Sequence, residues 1–120
     1  MSKTFAVDYD EEFDILFIYN TKFKSTGGVE YGENLHIDFR PKVGVTGLEI
    51  MGATQFLKDY TGKTISKPEL AKIKSAYLTS KTKKGLTVLA FFIELPNKQA
   101  IQDKLTLAAF DYESPAVATA

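Results

Sequence analysis

Asn34-Leu35-His36-Ile37-Asp38-Phe39-Arg40, the turn Pro41-Lys42-Val43-Gly44, and Val45-Thr46-Gly47-Leu48-Glu49-Ile50-Met51 together decide the fold class. In the first run Leu35, Ile37 and Phe39 alternate with Asn34, His36, Asp38 and Arg40, the period of a strand with one dry and one wet face. The four-residue connection brings the second run back antiparallel. Pairing Arg40 with Val45 sets the register, because a slip of one residue would turn every apolar side chain to water. Phe39 then faces Thr46, Ile37 faces Leu48 and Leu35 faces Ile50 on the inner side. On the outer side Asp38 lies opposite Gly47 and His36 opposite Glu49.

Further hairpin signals flank this stretch. Phe5–Tyr9 and Ile15–Tyr19 enclose the polar knot Asp10-Glu11-Glu12-Phe13-Asp14, and Ile15-Leu16-Phe17-Ile18-Tyr19 is apolar on both faces, which places it inside a sheet. Thr26-Gly27-Gly28 marks a turn before a short strand near Val29-Glu30-Tyr31, and Gly32 marks another. Gly52 to Tyr60 reads as a short helical turn carrying Phe56 and Leu57 inward. Ser66-Lys67-Pro68-Glu69 is a capping-box signature, and Leu70, Ile73 and Tyr77 follow at helical spacing. This predicts a principal helix over about 67–81, broken before Gly85 and covering one sheet face. Leu86 to Leu95 is a second buried strand, Pro96 to Asp103 a connection, and Lys104 to Tyr112 the last strand. The expected architecture is α+β, a mostly antiparallel sheet of about six to seven strands with one principal helix. It forms a single domain over residues 1–112, with a mobile tail at 113–120.

Composition supports a folded core. Of 120 residues 44% are hydrophobic, with nine Phe and six Tyr, enough for a domain without covalent staples. The chain has no cysteine, which removes disulfides, thiolate catalysis and thiolate metal sites. Met1-Ser2-Lys3 runs into Phe5-Ala6-Val7-Asp8 with no apolar signal core, and the apolar stretch Val88 to Ile93 is too short to cross a bilayer, so a cytoplasmic location is expected. The formal net charge is zero but unevenly spread. Residues 1–57 hold nine acids and five bases, residues 58–84 two acids and eight bases, and residues 85–120 four acids and two bases.

Two motifs resemble an uncharacterised prokaryotic family, domain of unknown function 2283. They are Tyr9-Asp10-Glu11-Glu12-Phe13-Asp14-Ile15-Leu16-Phe17-Ile18 and Gly47-Leu48-Glu49-Ile50-Met51-Gly52-Ala53. The resemblance covers about residues 5–57. The chain departs from the family at Pro41-Lys42-Val43-Gly44, where the family's turn tends to be acidic, and in its long extension from Thr61 onward. The resemblance implies a β-rich fold and supplies no activity.

Three clusters are candidates for chemistry. Asp8, Asp10, Glu12 and Asp14 could offer carboxylates to a hard cation. Set on an EF-hand loop, they put Phe13 where Gly is required and Tyr19 where Glu is required, so the competing reading is a solvated hairpin tip whose Asp side chains hold turn amides. His36, Asp38, Arg40 and Glu49 form the second cluster, on the wet face of the central hairpin. His36 beside Glu49 is the minimal pair for proton transfer, and Arg40 could hold an anion, against the plainer reading of a solvated face. A sole His excludes a multi-His metal centre within one chain. Lys67, Lys74, Lys81 and Lys84 fall near one face of the predicted helix and could contact phosphates, although no Arg accompanies them and the net charge is zero. The glycine spacings lack a nucleotide-binding pattern.

Missing catalytic sets and strands apolar on both faces point to a non-enzymatic binding or self-association module, a homo-oligomer with a dimer favoured and no cofactor. The alternatives are a domain that binds or converts a small polar ligand on the His36, Glu49 and Arg40 face, and weak nucleic-acid binding through the lysines. No membrane association is expected.

Overall fold

The computed structural model describes residues 4–97 and 99–108, the last by its backbone alone. The quoted stretch forms strands β4 (Leu35–Arg40) and β5 (Gly44–Met51). Leu35↔Ile50, His36↔Glu49, Ile37↔Leu48 and Asp38↔Gly47 pair as expected. Beyond them the register shifts at a bulge, so Phe39 meets Val45 and Arg40 meets Gly44. Strict alternation would have set Thr46 against Phe39 in the core. The extra residue instead lets Val45 pack inward and leaves the buried Thr46 hydroxyl 2.7 Å from Ser25 Oγ. The turn closes through Val43 N–H donating to Arg40 O at 3.1 Å. Lys42 there takes φ 67°.

Strands β1 (Phe5–Asp10), β2 (Ile15–Asn20) and β3 (Gly27–Tyr31) complete a five-stranded antiparallel sheet in the order β1-β2-β5-β4-β3. The doubly apolar β2 is interior, as its sequence requires. Helix α1 (Ala53–Thr61) is longer than the expected turn. It packs Ala53 and Leu57 into the core and ends at Gly62, whose φ of 75° suits a glycine closing a helix.

The principal helix over about 67–81 is not present. The Ser66 capping box forms, with Ser66 Oγ accepting from Glu69 N and Glu69 Oε1 accepting from Ser66 N, but it opens only the single turn α2 (Lys67–Leu70). Residues Ser75–Lys83 are strand β6. Leu70, Ile73 and Tyr77 fit a helical period, but Ala76, Leu78 and Ser80 alternating with Tyr77, Thr79 and Lys81 fit a strand equally well. Tertiary pairing decides such a conflict. Lys84 (φ 53°) and Gly85 (φ 78°) make a two-residue turn into β7 (Leu86–Glu94), a backbone whose twist matches a hairpin. The final strand, β8 (Ala100–Ala108), begins four residues earlier than expected and takes in part of the predicted connection. Strands β6-β7-β8 form a second antiparallel sheet. The described residues therefore hold eight strands in two sheets and two short helices. The expected tail at 113–120 lies outside the described residues.

The two sheets share one core. Leu16, Ile18, Ile37, Leu48 and Ile50 of the first sheet are fully buried, as are Leu89 and Phe91 of the second. Each such side chain contributes about 1.5–3 kcal/mol relative to exposure. Strand β6 passes over β1, β2 and β5, and Ser80 Oγ accepts from Val45 N at 3.0 Å. A sheet thus covers the inner face that the predicted helix was expected to cover. Both outer faces stay open among the described residues.

Candidate functional site

On the outer face of the five-stranded sheet the register brings Asp8, Phe17, Glu49, His36 and Glu30 into one row across all five strands. The next row holds Ala6, Tyr19, Gly47, Asp38 and Gly28. Phe17 and Tyr19 stack with ring centroids 5.0 Å apart.

His36 does not bond the predicted Glu49. Its Nδ1 lies 2.9 Å from Glu30 Oε1 and its Nε2 2.9 Å from Asp38 Oδ1. A neutral imidazole has one hydrogen and would turn a bare nitrogen toward one of these carboxylates, whereas imidazolium donates to both. Partial burial opposes the charge, but the Glu30 hydrogen bond and the Asp38 charge outweigh it, and the His36 pKa is raised above its ordinary value. Arg40 turns away to the β2–β3 loop, donating from Nη1 to Lys24 O at 3.2 Å with its guanidinium 6.0 Å from the Phe23 ring centroid. Of the four candidates, only His36 and Asp38 are brought into contact. Glu30 was missed, though reading Val29-Glu30-Tyr31 back across the Gly32 turn sets it opposite His36.

The acidic loop is committed to structure. Asp10 Oδ1 accepts from Phe13 N at 3.0 Å, a turn-closing bond. Asp14 accepts from Tyr9 OH at 2.6 Å, Thr54 Oγ1 at 2.6 Å and Thr54 N at 3.1 Å, so the hairpin tip caps the first turn of α1. Burial would raise the Asp14 pKa, but the bonds from Thr54 and Tyr9 outweigh it and hold the carboxyl below its usual value. Burial, the Asp14 hydrogen bond and the nearby acids push Tyr9 up. Asp8 stands apart on the outer face, and among the described residues no three His, Asp or Glu side chains gather as a metal site. The Tyr9, Asp10 and Asp14 pattern behind the family resemblance therefore has a structural role here.

The lysine face is rearranged. With no long helix, Lys67 stays in α2 and Lys74 precedes β6, its N–H donating to Glu94 O. Lys81 and Lys83 instead share the outer face of β6 with Tyr77 and Thr79. They meet Val88 and Leu86 of β7, beyond which Thr106 and Lys104 of β8 complete the face. An open depression of about 770 Å³ has Leu86, Val88 and Ala90 as its floor and Lys81, Lys83, Lys84 and Lys104 at its rim. Farther along, Tyr77 stacks on Phe92 at 4.5 Å. Lys104 was missed, yet Ile101, Leu105 and Leu107 alternating with Gln102, Lys104 and Thr106 carried the signal.

No family model, curated protein or solved structure matches this chain. Its chemistry has to be read from the two faces alone. No helix among the described residues is long and apolar enough to span a membrane.

Proposed function

We propose that this protein is a non-enzymatic binding and self-association module that docks through the open face of its three-stranded sheet. The observation that carries this is the apolar row of β7, in which Leu86 and Val88 are exposed, Ala90 is buried and Phe92 is half-buried, with the exposed Tyr77 beside it. Leu86 and Tyr77 are each 47% exposed. Single exposed apolar residues are normal on a protein surface, but Leu86, Val88 and Tyr77 exposed together on one sheet face are the pattern of a contact surface. The committed states of the polar candidates support the same reading. Both His36 nitrogens are engaged by carboxylates, Asp14 holds α1, and Arg40 is held at Lys24 O. Kinship with domain of unknown function 2283 over about residues 5–57 is part of the proposal, and it adds no activity.

Native mass spectrometry of tag-free protein over a concentration series tests the reading, with Val88→Glu as the control. Val88 is a third exposed, so the variant should keep its unfolding temperature. The wild type should associate as concentration rises, and Val88→Glu should not. Identical behaviour of the two proteins would sink the proposal.

A further inference from the structure

Resting on that docking face, we infer that its occupant is the outer face of the five-stranded sheet of a second copy, so that copies join head to tail. The two faces are opposites in charge, and each carries a stacked aromatic pair. One carries Asp8, Glu30, Asp38 and Glu49 around the Phe17–Tyr19 stack, with His36 offsetting part of that charge. The other carries Lys81, Lys83, Lys84 and Lys104 around an aliphatic floor and the Tyr77–Phe92 stack. On the basic face the apolar row lies on the central strand β7 with the lysines on its flanks and Glu94 at its far end, whereas on the acidic face the central strand β5 carries Glu49 and Gly47 and the aromatic pair sits beside it on β2.

Size agrees as well as sign. Three strands of nine residues present roughly 14 by 30 Å, about 400 Å². Five strands of about six residues present roughly 24 by 20 Å, close to the same area. Standard interfaces bury about 800 Å² on each partner, so this contact is weak and needs charge complementarity to orient it.

The lysine rim also disfavours the simplest alternative. A twofold dimer through the three-stranded face with its axis along the strands would bring the two lysine-bearing ends together, and like charges in contact repel. Joining unlike faces avoids this and leaves one free face at each end, so the product is a ladder or a ring instead of a closed pair. A nucleic acid fits less well. The floor under the lysines is aliphatic, Arg is absent from the rim, and the chain has zero net charge.

Two double variants test the inference. Lys81→Glu with Lys104→Glu inverts the basic face, and Asp8→Lys with Glu49→Lys inverts the acidic face; Lys81, Lys104 and Asp8 are exposed and Glu49 is half-buried. By sedimentation velocity at low salt, the wild type should form species beyond dimers, weakened by added salt. Each variant alone should lose roughly tenfold or more in self-affinity. Their failure to fold is checked by circular dichroism, and carbodiimide coupling of wild-type oligomers gives a reading independent of any variant. It should link Lys81 or Lys104 of one copy to Asp8 or Glu49 of another.

If the acidic-face variant associates as the wild type does while Val88→Glu does not, the head-to-tail inference falls and the docking face stands. If the wild type stays monomeric but binds a labelled oligothymidylate or phosphatidylglycerol vesicles through the lysines, the inference and the self-association reading both fall, and the face is a contact surface for that other ligand. A monomer that binds neither overturns both. Coupling of Lys81 or Lys104 only to acids of the same copy overturns the inference.

Discussion

Gly28 lies where a side chain would collide with His36. A Cβ built on it would sit 2.8 Å from His36 Nε2 and 2.9 Å from Asp38 Oδ1. The missing side chain is what lets the ring lie flat between Glu30 and Asp38. Gly28→Ala should therefore push His36 off Asp38 without deleting any partner. Because the chain has one His, a single imidazole proton signal reports its titration by NMR. The titration midpoint should move down from the wild-type value. An unchanged midpoint would show that the ring needs no such clearance.

The same ring makes stability depend on pH. The His36 pKa is raised on folding from an ordinary 6.5. Its contribution is complete below that value and is lost as pH climbs through the raised folded value. The side chain is 32% exposed, so the effect is below about 1 kcal/mol. Urea midpoints should decline across that window in the wild type and stay flatter in Glu30→Gln.

Asp14 has the opposite sign. Its pKa is lowered from 3.8, so its contribution is present above that value and lost as pH falls through the folded value. Asp14→Asn keeps a residue that tolerates the φ of 55° and weakens the three bonds received from Tyr9 and Thr54. It should cost about 1–3 kcal/mol in chemical denaturation at neutral pH. The acid limb of the stability profile should flatten with it.

Lys84 occupies the left-handed region at φ 53°, which Asn adopts more readily. Lys84→Asn should raise stability by about 0.5 kcal/mol, measured as a higher denaturation midpoint. Gly27→Ala should do the reverse. Its Cβ would lie 2.7 Å from Cζ of the buried Phe39, and overpacking of that kind costs about 1–3 kcal/mol.

Local pattern was enough for β1, β4 and β5, for β2 through its doubly apolar run, and for the His36–Glu49 register pair, because these strands carry their burial in their own sequence. It failed at Ser75–Lys83, where helical and strand periods both match and the deciding pairing with Leu86–Glu94 is a tertiary fact. The Lys84-Gly85 turn was the available cue. The bulge after Asp38 was invisible, since nothing in Val45-Thr46 says which of two neighbours will be the extra residue. Site geometry was less legible than the fold. Register places His36 beside Glu49, but side-chain reach and the space at Gly28 award the ring to Glu30 and Asp38.

The five-stranded sheet is two locally wound pieces joined edge to edge. Hairpin β1–β2 and the meander β3-β4-β5 each close through short turns, whereas β2 and β5 meet across the seam from Ile15↔Met51 to Tyr19↔Gly47. A nascent chain completes Ile15–Asn20, a strand apolar on both faces, well before the strand that shields it exists. Until Met51 has been made, that edge is a site for wrong partners. Asp10, Glu11 and Glu12 stand at its doorstep as gatekeepers. The Asp14–Thr54 clasp forms only when the following helix arrives, and it locks the seam behind the strand that closed it.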